Sequence, residues 1–145
     1  MIKKVLVVCL GNICRSPMAE ALLKQALPGV QIASAGLGAL VGHGADPIAI
    51  AIMAEQQIDI TAHRARMISE TLAKESDLIL VMDNLQKEQL AQQYPFARGK
   101  IFRLGETLKQ DIPDPYRKDE AVFRSAFDLI TQGCDAWVKR IRSIS

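Results

Sequence analysis

Residues 5–24 read VLVVCLGNICRSPMAEALLK. The opening VLVVC is continuously apolar, as a strand covered on both faces is, and PMAEALLK has helical composition with a proline suited to the first helical position. Between them lie Leu10, Gly11, Asn12, Ile13, Cys14, Arg15 and Ser16. A plain connection would use Gly, Asn, Asp or Pro and no thiol. Strand, loop and helix together open a parallel α/β unit, and the loop carries chemistry that a connection does not need.

The pattern recurs along the chain. Apolar runs at 5–9, 30–35, 78–82 and 101–104 alternate with segments of helical character at 17–27, 46–57, 84–94 and 119–143. Runs that are apolar throughout, such as LILVM at 78–82, belong in a parallel sheet, so the fold class is α/β. Ser16-Pro17 and Asp46-Pro47 each set a cap-competent side chain before a proline, which predicts the starts of the first two helices. In the last helix Phe123, Phe127, Ile130, Cys134, Trp137 or Val138, and Ile141 form one apolar stripe. Stretches 36–44 and 111–118 read as loops, and no repeat or interdomain linker interrupts the 145 residues, which form one expected domain.

A loop between a strand end and a helix start can curl its N–H groups around one point, where the positive end of the helix dipole adds to them; such a nest takes a tetrahedral oxyanion. Gly11 allows close backbone approach or positive φ, and Asn12 tolerates left-handed geometry while its amide braces the loop. Arg15 adds a permanently charged fork that meets two phosphate oxygens. The same positive groups favour the thiolate of Cys9, making it a nucleophile, and Ser16 can donate its hydroxyl hydrogen to that sulfur.

CLGNICRSPMAEALLK, with DPYR at 114–117, SAG at 34–36, HRAR at 63–66 and LILVMD at 78–83, resembles the low-molecular-weight protein tyrosine phosphatases, and the bacterial branch in particular. The resemblance spans essentially the whole chain. It implies a three-layer sandwich, with a central four-stranded parallel sheet, helices on both faces and a phosphate-binding loop after the first strand. It also implies a two-step reaction in which Cys9 attacks a phosphomonoester and water hydrolyses the cysteinyl-phosphate, with no metal or cofactor.

A phenolate leaves poorly without a proton, so a general acid must face the nucleophile. Sequence alone offers Asp46, Asp111 and Asp114, of which Asp46 also reads as a helix cap and Asp111 as a turn-forming or supporting carboxylate. The resemblance assigns the acid to Asp114, with Pro115 stiffening its loop and Tyr116 walling a flat aromatic substrate. Leu10, Ile13, Leu37, Leu40 and Tyr116 are expected as the apolar cleft. Asn12, Ser34 and His63 correspond to a network supporting the loop. Cys14 matches a second loop cysteine that can pair with the nucleophile under oxidation, or simply packs.

Three rivals are weighed against this reading. An arsenate reductase on the same fold needs further cysteines near the third strand, and residues 78–90 contain none. An arginine phosphatase has Thr where this chain has Ile13, whose apolar face suits an aromatic ester. A silent phosphotyrosine-binding module has no reason to retain Cys9, Ser16 and Asp114 together.

Cys9, Cys14 and Cys134 are too few and too sparse for a disulfide framework or a structural zinc site, and they fit a reducing, cytoplasmic setting. MIKKVLVVCLG imitates a signal peptide but meets Asn12 and Arg15 without a cleavage site. No run approaches membrane-spanning length. A net charge of +2 without basic clusters argues against nucleic acid as a partner. The resemblance implies a tyrosine-phosphorylated protein as partner, namely a bacterial tyrosine autokinase controlling capsule or exopolysaccharide export.

Overall fold

The computed structural model describes residues 1–144, so Ser145, the last residue of the expected domain, lies outside the described residues. Four strands, β1 (Lys4–Cys9), β2 (Gln31–Gly36), β3 (Leu78–Val81) and β4 (Ile101–Arg103), form one parallel sheet in the order β2-β1-β3-β4. The helices are α1 (Arg15–Ala26), α2 (Pro47–Glu55), α3 (Glu70–Glu75), α4 (Asn84–Gln93) and α5 (Glu120–Ser143), and a short 3-10 helix covers Pro95–Lys100.

Alternation along the strands explains why two of them are apolar throughout. Val5, Val7, Cys9, Leu78 and Leu80 point into a core shared with α1, α2 and α5, whereas Leu6, Val8, Ile79 and Val81 point into a second core with Ala73 of α3 and Leu90 of α4. The sheet is therefore the middle of three layers, as expected. α5 presents Phe123, Ala126, Ile130, Cys134, Trp137, Val138 and Ile141 to the first core, with Phe127 half-buried at its flank. Both Trp137 and Val138 are buried, and the indole of Trp137 donates to the Arg103 carbonyl.

The expected start of the first helix needs correction. Asp46 does cap α2, accepting from the Ile48 N–H with Pro47 at the first position. Ser16 caps nothing: α1 already begins at Arg15, its N-cap is Cys14 without a side-chain bond, and Ser16 lies inside the first turn. Its hydroxyl is engaged elsewhere. α3 and the 3-10 helix are additional elements; both are only six residues long.

β1 is central, and the chain leaves it toward β2 on one side and β3 on the other, so the loop 10–14 lies at the switch point of the sheet, beyond the strand carboxyl ends. In open α/β sheets that crevice is where ligands bind.

Candidate active site

The loop after β1 is held by its carbonyls. The oxygens of Cys9, Leu10, Gly11 and Ile13 accept from the N–H groups of Leu37, Gly38, Leu40 and Asp46 at 3.0, 3.0, 3.1 and 2.8 Å. The Asn12 carbonyl accepts from His63 Nε2 at 2.6 Å, which fixes the hydrogen on that ring nitrogen. In a trans peptide the carbonyl and the following N–H point in opposite directions. Tying five successive carbonyls outward therefore turns the N–H groups of residues 10–14 inward. One of them, Asn12 N–H, meets Cys9 Sγ at 3.2 Å.

Gly36 makes this anchoring possible, since a Cβ there would sit 2.5 Å from the Leu10 carbonyl oxygen. Gly11 needs no such freedom: a Cβ would meet only Ile13 at 3.7 Å, and the left-handed residue of the loop is Asn12, with φ of 58°.

Asn12 is fully buried and its amide is bonded at both ends. Its Nδ2 donates to Ser16 Oγ at 2.8 Å and to Ser34 Oγ at 3.0 Å, and its Oδ1 accepts from the Arg66 N–H at 3.0 Å. Ser34 in turn donates to Glu20. The Ser16 hydroxyl, which accepts from Asn12, lies 2.9 Å from Cys9 Sγ and can donate its hydrogen to a thiolate there. The network thus ends on the sulfur. Ser34 and His63, expected as supports, each hydrogen-bond to Asn12; Glu20 and the Arg66 side chain, which donates to the Ser34 carbonyl, were not foreseen.

Arg15, only 3% exposed, donates from Nη1 to the Ile112 carbonyl at 2.7 Å. Its guanidinium also lies 3.7 Å from Asp83 and 3.7 Å from Asp114. Asp83 was missed as a site residue, although it ends the apolar run 78–82 beside β1; it also caps α4 through Gln86 N–H. Asp114, 42% exposed, accepts from the Tyr116 N–H, so its carboxyl is positioned within a turn at the cleft mouth. Of the other candidates, Asp46 is the cap already described. Asp111 accepts from Arg103 and from Asn84 N–H and acts as a brace.

A cleft of about 120 Å³ is lined by Cys9, Leu10, Gly11, Ile13, Cys14, Arg15, Gly38, Leu40, Asp114 and Tyr116. Leu37 is absent from it. One residue beyond Gly36, its side chain turns to the opposite face and packs against the second core, so its assignment to the cleft wall is corrected. Asn12 and Ser16 stand behind the loop and not in the cleft. Cys14 is buried and its thiol is held well above the ordinary range, first by burial and then by Asp46, Cys9 and Asp114, against a smaller pull from Arg15. Cys9, Cys14 and Cys134 are all unpaired.

Residues 4–144 match the family model for low molecular weight phosphotyrosine protein phosphatase. The chain is 54% identical over 144 residues to EpsP of Ralstonia nicotianae, named a probable low molecular weight protein-tyrosine-phosphatase, with 99% of each chain covered. Vibrio vulnificus Wzb, solved with benzylphosphonate, superposes with a TM-score of 0.93 at 41% identity, covering 97% of this chain and 99% of that one. The YwlE arginine phosphatase of Geobacillus stearothermophilus superposes with a TM-score of 0.91 at 32% identity, covering 97% and 94%. The chain belongs to the low molecular weight phosphotyrosine protein phosphatase family and is a protein-tyrosine phosphatase.

Proposed function

We propose that Cys9 is the nucleophile, Arg15 and the inward N–H groups of residues 10–14 hold the phosphoryl oxygens, and Asp114 is the general acid. The sulfur attacks phosphorus, the bond from phosphorus to the phenolic oxygen breaks, and Asp114 passes its proton to that oxygen. A water then attacks phosphorus of the cysteinyl-phosphate and gives its proton to Asp114, and the sulfur departs as thiolate toward Ser16 and Asn12 N–H. Charge that grows on the equatorial oxygens meets fixed donors throughout. The carrying observation is the outward tether of five loop carbonyls around Cys9, with buried Arg15 beside it.

The site supplies nucleophile, electrostatic clamp and acid from side chains and amides, so no metal or cofactor takes part. Hydrolysis of p-nitrophenyl phosphate is expected to persist in EDTA and to vanish in Cys9→Ser. Asp114→Asn should slow turnover by about 10²- to 10⁴-fold while vanadate affinity is kept. A metal requirement, or full activity of Cys9→Ser, overturns the mechanism.

The aromatic ester is favoured over phosphoarginine because Leu10, Ile13, Leu40 and Tyr116 give the cleft an apolar wall, with Asp114 as its one carboxylate among the described residues. The benzyl group of the Vibrio relative's ligand supports the same preference. Phosphotyrosyl peptide is expected to be hydrolysed far faster than the phosphoarginyl equivalent. We further take the protein substrate to be a bacterial tyrosine autokinase controlling capsule or exopolysaccharide export, in the cytoplasm, on the resemblance to the bacterial branch; the free cysteines suit that reducing compartment. A Cys9→Ser trap that recovers no such kinase from cells would remove this assignment.

A further inference from the structure

We propose that Arg117 is a specificity-determining residue that selects phosphotyrosine flanked by an acidic side chain, an inference that rests on the cleft taking phosphotyrosine. Tyr116 walls the cleft, and the Arg117 guanidinium lies 5.2 Å from the centroid of its ring, within cation–π range. That contact keeps a cation about one ring's breadth from the cleft. An extended peptide advances ~3.3–3.6 Å per residue, so side chains adjacent to a bound phosphotyrosine come within reach of it.

The neighbouring carboxylates leave this cation uncompensated. Asp111 is taken by Arg103, Asp114 lies by Arg15, Asp119 caps α5 at Val122, and Glu120 pairs with Arg124. Among the described residues neither Arg117 nor Lys118 forms an ion pair. Arg117 also occupies the left-handed region, with φ of 62°, where glycine or asparagine would be easier. A long cation held in an unfavourable backbone conformation at the rim of a binding cleft, with an aromatic ring beneath it but no ion-pair partner among the described residues, is placed to meet an anion from outside.

The test compares kcat/KM for phosphotyrosyl peptides of one length carrying Glu, Gln or Lys beside the phosphotyrosine. For the unaltered protein the Glu peptide should exceed the Gln peptide about threefold to fivefold, as one exposed charge pair allows, with the Lys peptide lowest. The ratio should shrink as salt is raised. Arg117→Asn, which suits the same left-handed backbone, should bring the Glu/Gln ratio near one, and Arg117→Lys should retain part of it. A ratio near one in the unaltered protein, or a ratio that survives Arg117→Asn, overturns the proposal. Failure to hydrolyse even the Gln peptide instead overturns the phosphotyrosine reading on which it stands.

Discussion

At the scale of the residue, Asn12 and Ser16 divide one task. Asn12 sets the shape of the loop through its left-handed backbone and its three side-chain bonds, while Ser16 turns its hydroxyl toward the nucleophile. Removing each should therefore have a different signature. Ser16→Ala keeps a good helix former in α1 but strips Cys9 of a donor and leaves one Asn12 hydrogen unpaired. Alkylation of Cys9 by iodoacetate at neutral pH should slow, and kcat should fall about tenfold, with a stability loss of about 1–2 kcal/mol. Asn12→Gly keeps the backbone conformation and loses the amide, orphaning Ser16, Ser34 and the Arg66 N–H, so its loss in urea unfolding should be larger, about 3 kcal/mol. Equal stability losses for the two variants would show that Asn12 is not the hub. In the sequence, Cys9 and Arg15 were visible because a reactive thiol and a guanidinium are not what a plain connection needs, and Ser16 because it stands between that arginine and a helix-starting proline. Asp83 and Glu20 were not: an acid at a strand end and an acid on an amphipathic helix are common, and only the packing brings them to Arg15 and Ser34.

At the scale of the element, boundary signals were legible where a side chain acts on its own backbone. Asp46 caps α2 by a bond two residues along, so the predicted start of that helix lies close to the observed one. α3 escaped notice because six residues supply too little periodicity, even though Ser69 caps it through Leu72 N–H. The Ser16-Pro17 signal misled because the serine's oxygen had a partner outside the helix. Leu37 misled because an apolar residue near the loop says nothing about which face it turns to. Gly133 makes a separate point. Inside α5 a glycine should weaken the helix, yet a Cβ at this position would lie 2.8 Å from the Leu104 carbonyl oxygen and 3.0 Å from its Cγ. Close seating of α5 on the end of β4 outweighs propensity. Gly133→Ala should thus destabilise by about 1–3 kcal/mol, against the gain that alanine gives in an exposed helix, and thermal unfolding should shift down by several degrees. A rise in Tm would mean that α5 can move aside at no cost. Asp46→Ala should cost about 1 kcal/mol through the lost cap.

At the scale of the whole molecule, the layered burial that builds the site also sets how stability responds to alkali. Cys14 ends the loop and Cys134 lies on the buried stripe of α5, and burial, chiefly, pushes both thiols up, with Asp135 adding to the second. An ordinary thiol titrates near pH ~8.5, so the unfolded chain releases these protons at a pH where the folded chain still holds them. The unfolded state then binds fewer protons, and stability must fall as pH rises. The contribution is fully present below about pH 8 and is lost progressively above it, at a limiting slope of about 1.4 kcal/mol per pH unit for each thiol. Measured under reducing conditions, the urea midpoint should drop between pH 8 and pH 10. Cys134→Ala should lower the midpoint at every pH, because a small cavity replaces the sulfur, yet its decline toward pH 10 should be visibly shallower than that of the unaltered protein. The difference between the two curves isolates the thiol from the lysines and tyrosines that titrate in the same range. Parallel curves would mean that the Cys134 thiol ionises alike in both states, and that the interior under α5 is open to water.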